Sequence, residues 1–386
     1  MFKKLTSPKF LIFTIVFVNL LGYGILYPIL PLYEKLFNVG PFWVAAAIGA
    51  YPLAQFFAGP ILGVLSDRYG RRPLLLFSLL GTIVSFLFFA FAKNVGILFI
   101  GRLIDGISGG NISIAQAYMA DITPKEKRTE GMGVIAGALS LGFVVGPVIG
   151  GLLGQYGIRP PSLVAAAFAL LGFLLAFFFL PETEKEETKK QALKLFVFKE
   201  IARALRVEKI GIALLLFFMV QTAWSLHLPI FSLFLDQRFS LGTFSAGFLL
   251  AYRGAVSAIV QLFLVGKAVN LLGEKRLLKI AVLVMVFGLL LTGETPSLVV
   301  LFLGLTLMEL GGDFIGPVSM GMISKWAKPS EQGEILGIVT SLGSLGRMIG
   351  PYLGGAVFEL WGASLPFFLG AGLMFLGWIA LLRSNR

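Results

Sequence analysis

The sequence predicts an all-α integral membrane protein with twelve transmembrane helices arranged as two six-helix bundles. Three observations lead there. The first is composition: 57% of the 386 residues are hydrophobic and 13% charged, at a mean hydropathy of +0.89, whereas soluble domains run about 45–50% apolar. The second is spacing. Long apolar runs such as 42–65 and 74–92 alternate with short polar knots, and each run can cross a hydrocarbon core of ~30 Å at ~1.5 Å per helical residue. The third is repetition. The knot Gly63-Val-Leu-Ser-Asp67-Arg68-Tyr-Gly70-Arg71-Arg72 returns 203 residues later as Gly266-Lys-Ala-Val-Asn270-Leu-Leu-Gly273-Glu-Lys275. Duplicating six helices leaves both copies in the same orientation.

This composition excludes a soluble enzyme or a disordered chain. The net charge of +12 would suit nucleic acid, but its distribution follows topology. One side of the membrane collects Lys3, Lys4, Lys9, the first knot, Lys125, Lys127, Arg128, the basic residues of 185–209 and 267–279, Lys325, Lys328, Arg383 and Arg386. The other receives Lys35, Lys93, Arg159 and Arg238. That asymmetry predicts a multi-pass protein of the inner or plasma membrane with both termini cytoplasmic. The chain has no cysteine, which removes disulfides, thiol catalysis and Cys-ligated metals. No phosphate-cradling Gly-x4-Gly-Lys-(Ser/Thr) loop occurs, which argues against ATP as the driver. No catalytic residue, metal site or cofactor is expected. The first apolar run lacks a small-residue cleavage site and reads as a retained helix.

In chain order, span one covers about 10–31 and sets Asn19 and Tyr23 on one face. Span two carries Ala46, Ala50, Ala54 and Ala58, a small-residue stripe for close helix approach. In the knot, Gly70 suits a positive φ and Pro73 the first turn of span three, 74–92. Span four, about 96–120, places Arg102, Asp105, Gly109, Ser113 and Gln116 at three- and four-residue spacing, as one polar stripe. Asp105 would lie roughly 14 Å from the outer end, where facing lipid costs at least ~2.5–3.5 kcal/mol. The stripe should therefore face protein or water, with Arg102 and Asp105 paired. Either the pair braces the fold or its carboxyl titrates in a cavity. Span five repeats Gly142, Gly146-Pro147, Gly150-Gly151 and Gly154, a groove for a neighbour. Span six, 161–180, closes a first domain of residues 1–180. Residues 181–209 form a polar linker in which Leu193, Phe196, Val197, Ile201 and Leu205 line one face of an amphipathic surface helix. A second bundle, 210–386, follows.

In that bundle, span seven (210–235) gathers Gln221, Trp224 and Ser225 on one face. The lone His227 reads as a packed, hydrogen-bonded residue. Span eight (243–265) carries Gly247, Ala251 and Ala255 as a partner stripe for span five, with Arg253 on another side. Span ten, about 297–322, holds Glu309 and Asp313 one turn apart; at the 203-residue offset Glu309 corresponds to Gly106, beside Asp105. Two carboxyls near one another in a low dielectric resist double ionisation and favour proton uptake. Span eleven repeats the glycine pattern as Gly346, Gly350-Pro351 and Gly354-Gly355, with Arg347 beside it. Span twelve covers 363–382.

The first knot meets every fixed position of the signature between helices two and three of the major facilitator superfamily: Gly63, Asp67, Arg68, Gly70, Arg71 and Arg72. Arg102…Gly106…Gly109 resembles the family's helix-four motif, with Asp105 in place of its usual glutamine. Gly142, Gly146, Pro147, Gly150 and Gly151 resemble the motif of its drug:proton antiporters, as does Leu21-Gly22…Pro28…Pro31 in span one. The resemblance implies the major facilitator fold and alternating access, with spans one, four, seven and ten lining a central cavity. It implies that Asp121 pairs with Arg71 in a cytoplasmic latch, and that spans five and eleven pack on spans eight and two. It also implies a monomeric, proton-driven exporter of amphipathic drug-like molecules. Asp105, Glu309 and Asp313 would couple protons, and Asn19, Tyr23, Ser113, Gln116, Gln221 and Trp224 would meet substrate. Tetracycline exporters carry acids in spans one and three where this chain has Asn19 and Ser85, which argues against a metal–tetracycline cargo. The alternatives are a sugar, metabolite or lipid exporter on the same scaffold, and a non-transporting membrane receptor.

Overall fold

The computed structural model describes residues 7–109, 111–124, 127–183, 208–326 and 332–383. Most of the predicted linker helix, with Leu193 through Leu205, lies outside the described residues. Within them the only regular elements are helical. Span one is Pro8–Leu26, a 3₁₀ turn Tyr27–Ile29, and Leu30–Phe37. Spans two and three are Pro41–Tyr69 and Arg71–Ala90. Span four is broken into Val95–Ser108 and Asn111–Ile122. Spans five and six are Arg128–Gly154 and Arg159–Phe179. Span seven is Glu208–His227 followed by Phe231–Phe239. Span eight is Thr243–Ile259, a π turn Val260–Leu264, and Val265–Leu272. Spans nine to twelve are Glu274–Glu294, Leu298–Trp326, Gln332–Trp361 and Leu365–Arg383. Among the described residues, eleven of these are long and apolar enough to cross a membrane. Span eleven is the exception, being glycine-rich and carrying Arg347.

Local sequence explains the interruptions. Pro28 sits in the 3₁₀ turn of span one, and Pro229 lies between the two pieces of span seven, where a ring without an N–H cannot continue the helical ladder. Gly70 (φ 105°) and Gly273 (φ 73°) both stand at the N-cap of the helix that follows, a conformation that glycine alone adopts freely. The predicted uninterrupted span four is corrected by the break at Gly109.

The chain forms two compact units. One contains span one, span two from Ala50, spans three to six, and Thr243–Gly254 of span eight. The other contains Gly40–Gly49, span seven, span eight from Ala255, and spans nine to twelve. Inside the first, span one packs on five, and span three packs on four and six. Inside the second the same pairings recur: seven on eleven, and nine on ten and twelve. The internal duplication is thus visible in packing as well as in sequence.

Candidate functional site

Span four presents a buried ion pair one turn before its break. Arg102 is 0% exposed and Asp105 2%. Arg102 Nη1 donates to Asp105 Oδ2 at 2.9 Å, and Thr82 Oγ1 of span three donates to Asp105 Oδ1 at 2.8 Å. Both carboxylate oxygens are therefore engaged. The guanidinium also lies over three rings, its carbon 4.6 Å from the centre of Tyr23, 4.8 Å from Tyr51 and 5.9 Å from Phe89. Tyr23 stands edge-on to Tyr27 and Tyr51 at 5.5 and 5.3 Å.

Gln55 of span two ties this cluster to the break. Its Nε2 donates to Tyr51 Oη at 3.0 Å and also to the carbonyl of Gly109, the residue at which span four is interrupted. The break splits the predicted polar stripe. Arg102 and Asp105 are buried, whereas Ser113 and Gln116 beyond it are exposed. Asn19 is buried one turn before Tyr23. Thr82, Tyr51 and Gln55 are participants that the sequence reading missed. The i,i+4 pair Tyr51 and Gln55, two polar tips in an apolar run, was the available signal.

The other acids lie in the second unit. Glu309 is 0% and Asp313 8% exposed, so neither faces the membrane surface of its helix. Asp313 Oδ1 accepts from Gln261 Nε2 at 3.0 Å, and the same nitrogen reaches Ser257 Oγ at 3.0 Å. Gln261 sits in the π turn of span eight, an irregularity frequent at functional sites. Trp224 and Gln221 of span seven are half-buried. The Trp224 indole nitrogen fills the space where a side chain at Gly312 of span ten would begin. Arg347 donates to Ser344 Oγ at 3.1 Å. His227 is buried, with Nδ1 2.8 Å from the Ala223 carbonyl and its ring 5.3 Å from that of Phe367, the packed role expected of it.

At the knot, Arg71 pairs with Asp67 one turn before it and with Asp121 Oδ2 at 3.3 Å, as the resemblance implied. It also donates to Ser66 Oγ at 2.7 Å. Arg68 lies 5.4 Å from the Tyr69 ring and Arg72 5.9 Å from Phe177. The N-cap residue Gly70 has no side chain to cap span three. Glu182 does so from beyond span six, accepting from the N–H of Arg71 at 2.9 Å and of Arg72 at 3.3 Å. In the second copy the ion pair recurs with its charges exchanged. Glu274, at the position of Arg71, pairs with Lys325 at the end of span ten.

The motif glycines correct the predicted packing. Carbon added at Gly142, Gly146 or Gly150 would strike the span-one backbone at Phe17, Leu21, Gly24 or Ile25. Only Gly151 of the five motif positions turns its missing side chain toward span eight, at Thr243 and Gly247. Pro147 bridges the two, its ring against Gly24 and its carbonyl against Gly247. In the second unit Gly346, Gly350 and Gly354 likewise face span seven, and Gly355 faces Phe42 and Ala45 of span two. The four-residue repeat therefore serves mainly the neighbour within the same bundle; Gly151 meets Gly247 of the predicted span-eight stripe, whereas Gly355 meets Phe42 and Ala45, which lie outside the predicted Ala46–Ala58 stripe of span two.

Comparison with known proteins agrees with this architecture. The family model described as Major Facilitator Superfamily matches residues 12–264 and 213–386. The chain is similar to the class E tetracycline resistance protein of Escherichia coli, at 33% identity over 95% of this chain and 92% of that one. It is similar to multidrug resistance protein 2 of Bacillus subtilis, at 28% identity over 94% and 91%. Among solved structures it resembles the human organic anion transporter MFSD10, with a TM-score of 0.71 and 27% identity over 97% and 98% of the two chains. The nucleoside transporter NupG shares the fold at TM-score 0.79 and 13% identity, covering 98% and 99%.

Proposed function

The chain belongs to the major facilitator superfamily, and from that premise we propose that it is a proton-driven exporter of amphipathic, drug-like molecules. It is a multi-pass membrane transporter and not an enzyme. The observation that carries the cargo class is end-to-end likeness to tetracycline and multidrug resistance proteins, spanning more than 90% of this chain for the two relatives described above.

Asp105 is the carboxyl we assign to the proton. It is buried with both oxygens engaged, so its charge state is felt by spans three and four together. Neutralising it changes the relative free energy of conformations that bury it differently. Glu309 and Asp313, buried in the second unit, are the second place for a proton or a cationic cargo. The bundles 1–180 and 210–386, joined by 181–209, exchange access to the two sides, and Asp67, Arg71 and Asp121 hold the cytoplasmic latch. The protein acts as a monomer in the inner or plasma membrane with cytoplasmic termini, using the proton gradient and no cofactor. Tyr23, with its ring against Arg102, belongs to this proton site, and Trp224 is the better aromatic candidate for cargo.

A second reading, an anionic cargo, is favoured by the likeness to an organic anion transporter. One experiment separates these. The purified protein, in weakly buffered detergent, is titrated with amphipathic cations, organic anions, sugars and nucleosides while released protons are recorded. Release by the amphipathic cations alone supports the proposal. Release by anions alone supports the second reading, and release by sugars or nucleosides alone defeats both.

A further inference from the structure

Arg102 is held by two different chemistries. On one side is a carboxylate, Asp105, at 2.9 Å. On the other are the faces of Tyr23, Tyr51 and Phe89. Arg102 Nε and Nη2 have no hydrogen-bond acceptor among the described residues. A guanidinium does not lose its proton in a protein. When Asp105 takes up a proton, Arg102 therefore stays charged in a buried site, and a buried charge without a partner is strongly penalised. Ring faces attract cations, most strongly where water is excluded.

We propose that Tyr23, Tyr51 and Phe89 act as the alternative partner of Arg102, positioning residues that let Asp105 accept a proton without stranding the arginine. This rests on the reading that Asp105 carries the transported proton, and adds to it what makes the protonated state tolerable. The cage is braced for the task. Gln55 fixes the Tyr51 hydroxyl, Tyr27 abuts Tyr23, and Tyr33 anchors the Phe89 backbone, donating to its carbonyl at 2.9 Å. The other groups facing the pair are Thr82 of span three on Asp105 and Tyr27 of span one on Arg102, with Arg253 of span eight acting on Tyr27.

The test is a double-mutant cycle on the full-length purified protein, read by thermal unfolding in detergent. Tyr51→Leu is made alone and together with Asp105→Asn, which mimics the protonated carboxyl; Tyr51→Phe keeps the ring. The expected result is a Tyr51→Leu loss of melting temperature at least twice as large in the Asp105→Asn background as in the wild-type one, while Tyr51→Phe costs the same in both backgrounds. Strict additivity, or equal behaviour of Leu and Phe, overturns the proposal. Should the double variant fail to express, Phe89→Leu, the most distant ring, replaces Tyr51→Leu in the cycle under the same criteria.

In proteoliposomes, losing a ring face makes the protonated state less favourable, so Asp105 stays ionised to lower pH. The pH midpoint of uphill efflux moves acid by about one unit in Tyr51→Leu, a tenfold loss of proton affinity, and stays in place in Tyr51→Phe. An unmoved midpoint in the Leu variant overturns the functional part. Uphill pumping by Asp105→Asn instead defeats the underlying proton assignment, a failure distinct from additivity in the cycle.

Discussion

Two glycines on span five, Gly137 and Gly151, should respond to the same substitution with opposite signs. Nothing lies within 4 Å of a side chain added at Gly137, so Gly137→Ala collects the helix-propensity gain of about 1 kcal/mol. At Gly151 the added carbon would stand 2.6 Å from the Thr243 carbonyl oxygen and 3.0 Å from the Gly247 Cα. Both are backbone atoms, which no rotamer change can move. Ordinary carbon–oxygen contacts need about 3.3 Å or more, so spans five and eight must separate by a substantial fraction of an ångström. Overpacking of this kind costs about 1–3 kcal/mol. The Thr243 Oγ1 bond to the Gly151 carbonyl, 3.2 Å long, would stretch and forfeit about 0.5–1.5 kcal/mol more. Set against the same propensity gain, Gly151→Ala should lose about 1–3 kcal/mol. The two variants then differ by roughly 2–4 kcal/mol, or about 4–10 °C in melting temperature on the usual scale. Thermal unfolding of the purified variants in one detergent measures this. Gly151→Ala as stable as Gly137→Ala would refute the close packing of these spans.

The latch and its copy yield further expectations. Removing the carboxylate that caps span three, Glu182→Ala, should raise hydrogen exchange at the Arg71 and Arg72 amides about fivefold, for a cap worth about 1 kcal/mol. Asp121→Asn and Asp67→Asn should slow turnover with little change in substrate affinity. Their surface ion pairs contribute at most about 1 kcal/mol, so melting temperature should barely move. Reversing the second pair, Glu274→Lys with Lys325→Glu, should restore the melting temperature that either single change lowers. Gln261→Leu removes the hydrogen bond to Asp313 and should reduce transport at saturating cargo more than Gln261→Asn does, measured in vesicles.

Where the chain's own periodicity carries the information, the fold was legible. Run lengths marked the spans, and Gly70 and Gly273 marked their boundaries, because the physics involved is local. The Arg71–Asp121 pair was reached through resemblance, and the Arg102–Asp105 pair from its i,i+3 spacing. What stayed hidden depends on contacts between distant segments. Thr82 is an ordinary residue in an apolar run until span three brings it 2.8 Å from Asp105. Glu182 looked like the start of a linker and turned out to cap a helix more than a hundred residues earlier. The break at Gly109 could not be read from spacing, since a continuous stripe and a split one share the same residues. It is the split that separates buried Arg102 and Asp105 from exposed Ser113 and Gln116. The glycine repeat announced close packing without saying against which neighbour.

The central claim, that Asp105 exchanges a proton for cargo, is tested most directly by paired flux in reconstituted vesicles under an imposed proton gradient. The wild-type protein should move cargo uphill while protons flow down. Asp105→Asn should exchange cargo across the membrane yet build no gradient of it. Uphill accumulation by Asp105→Asn at the wild-type rate would contradict the account.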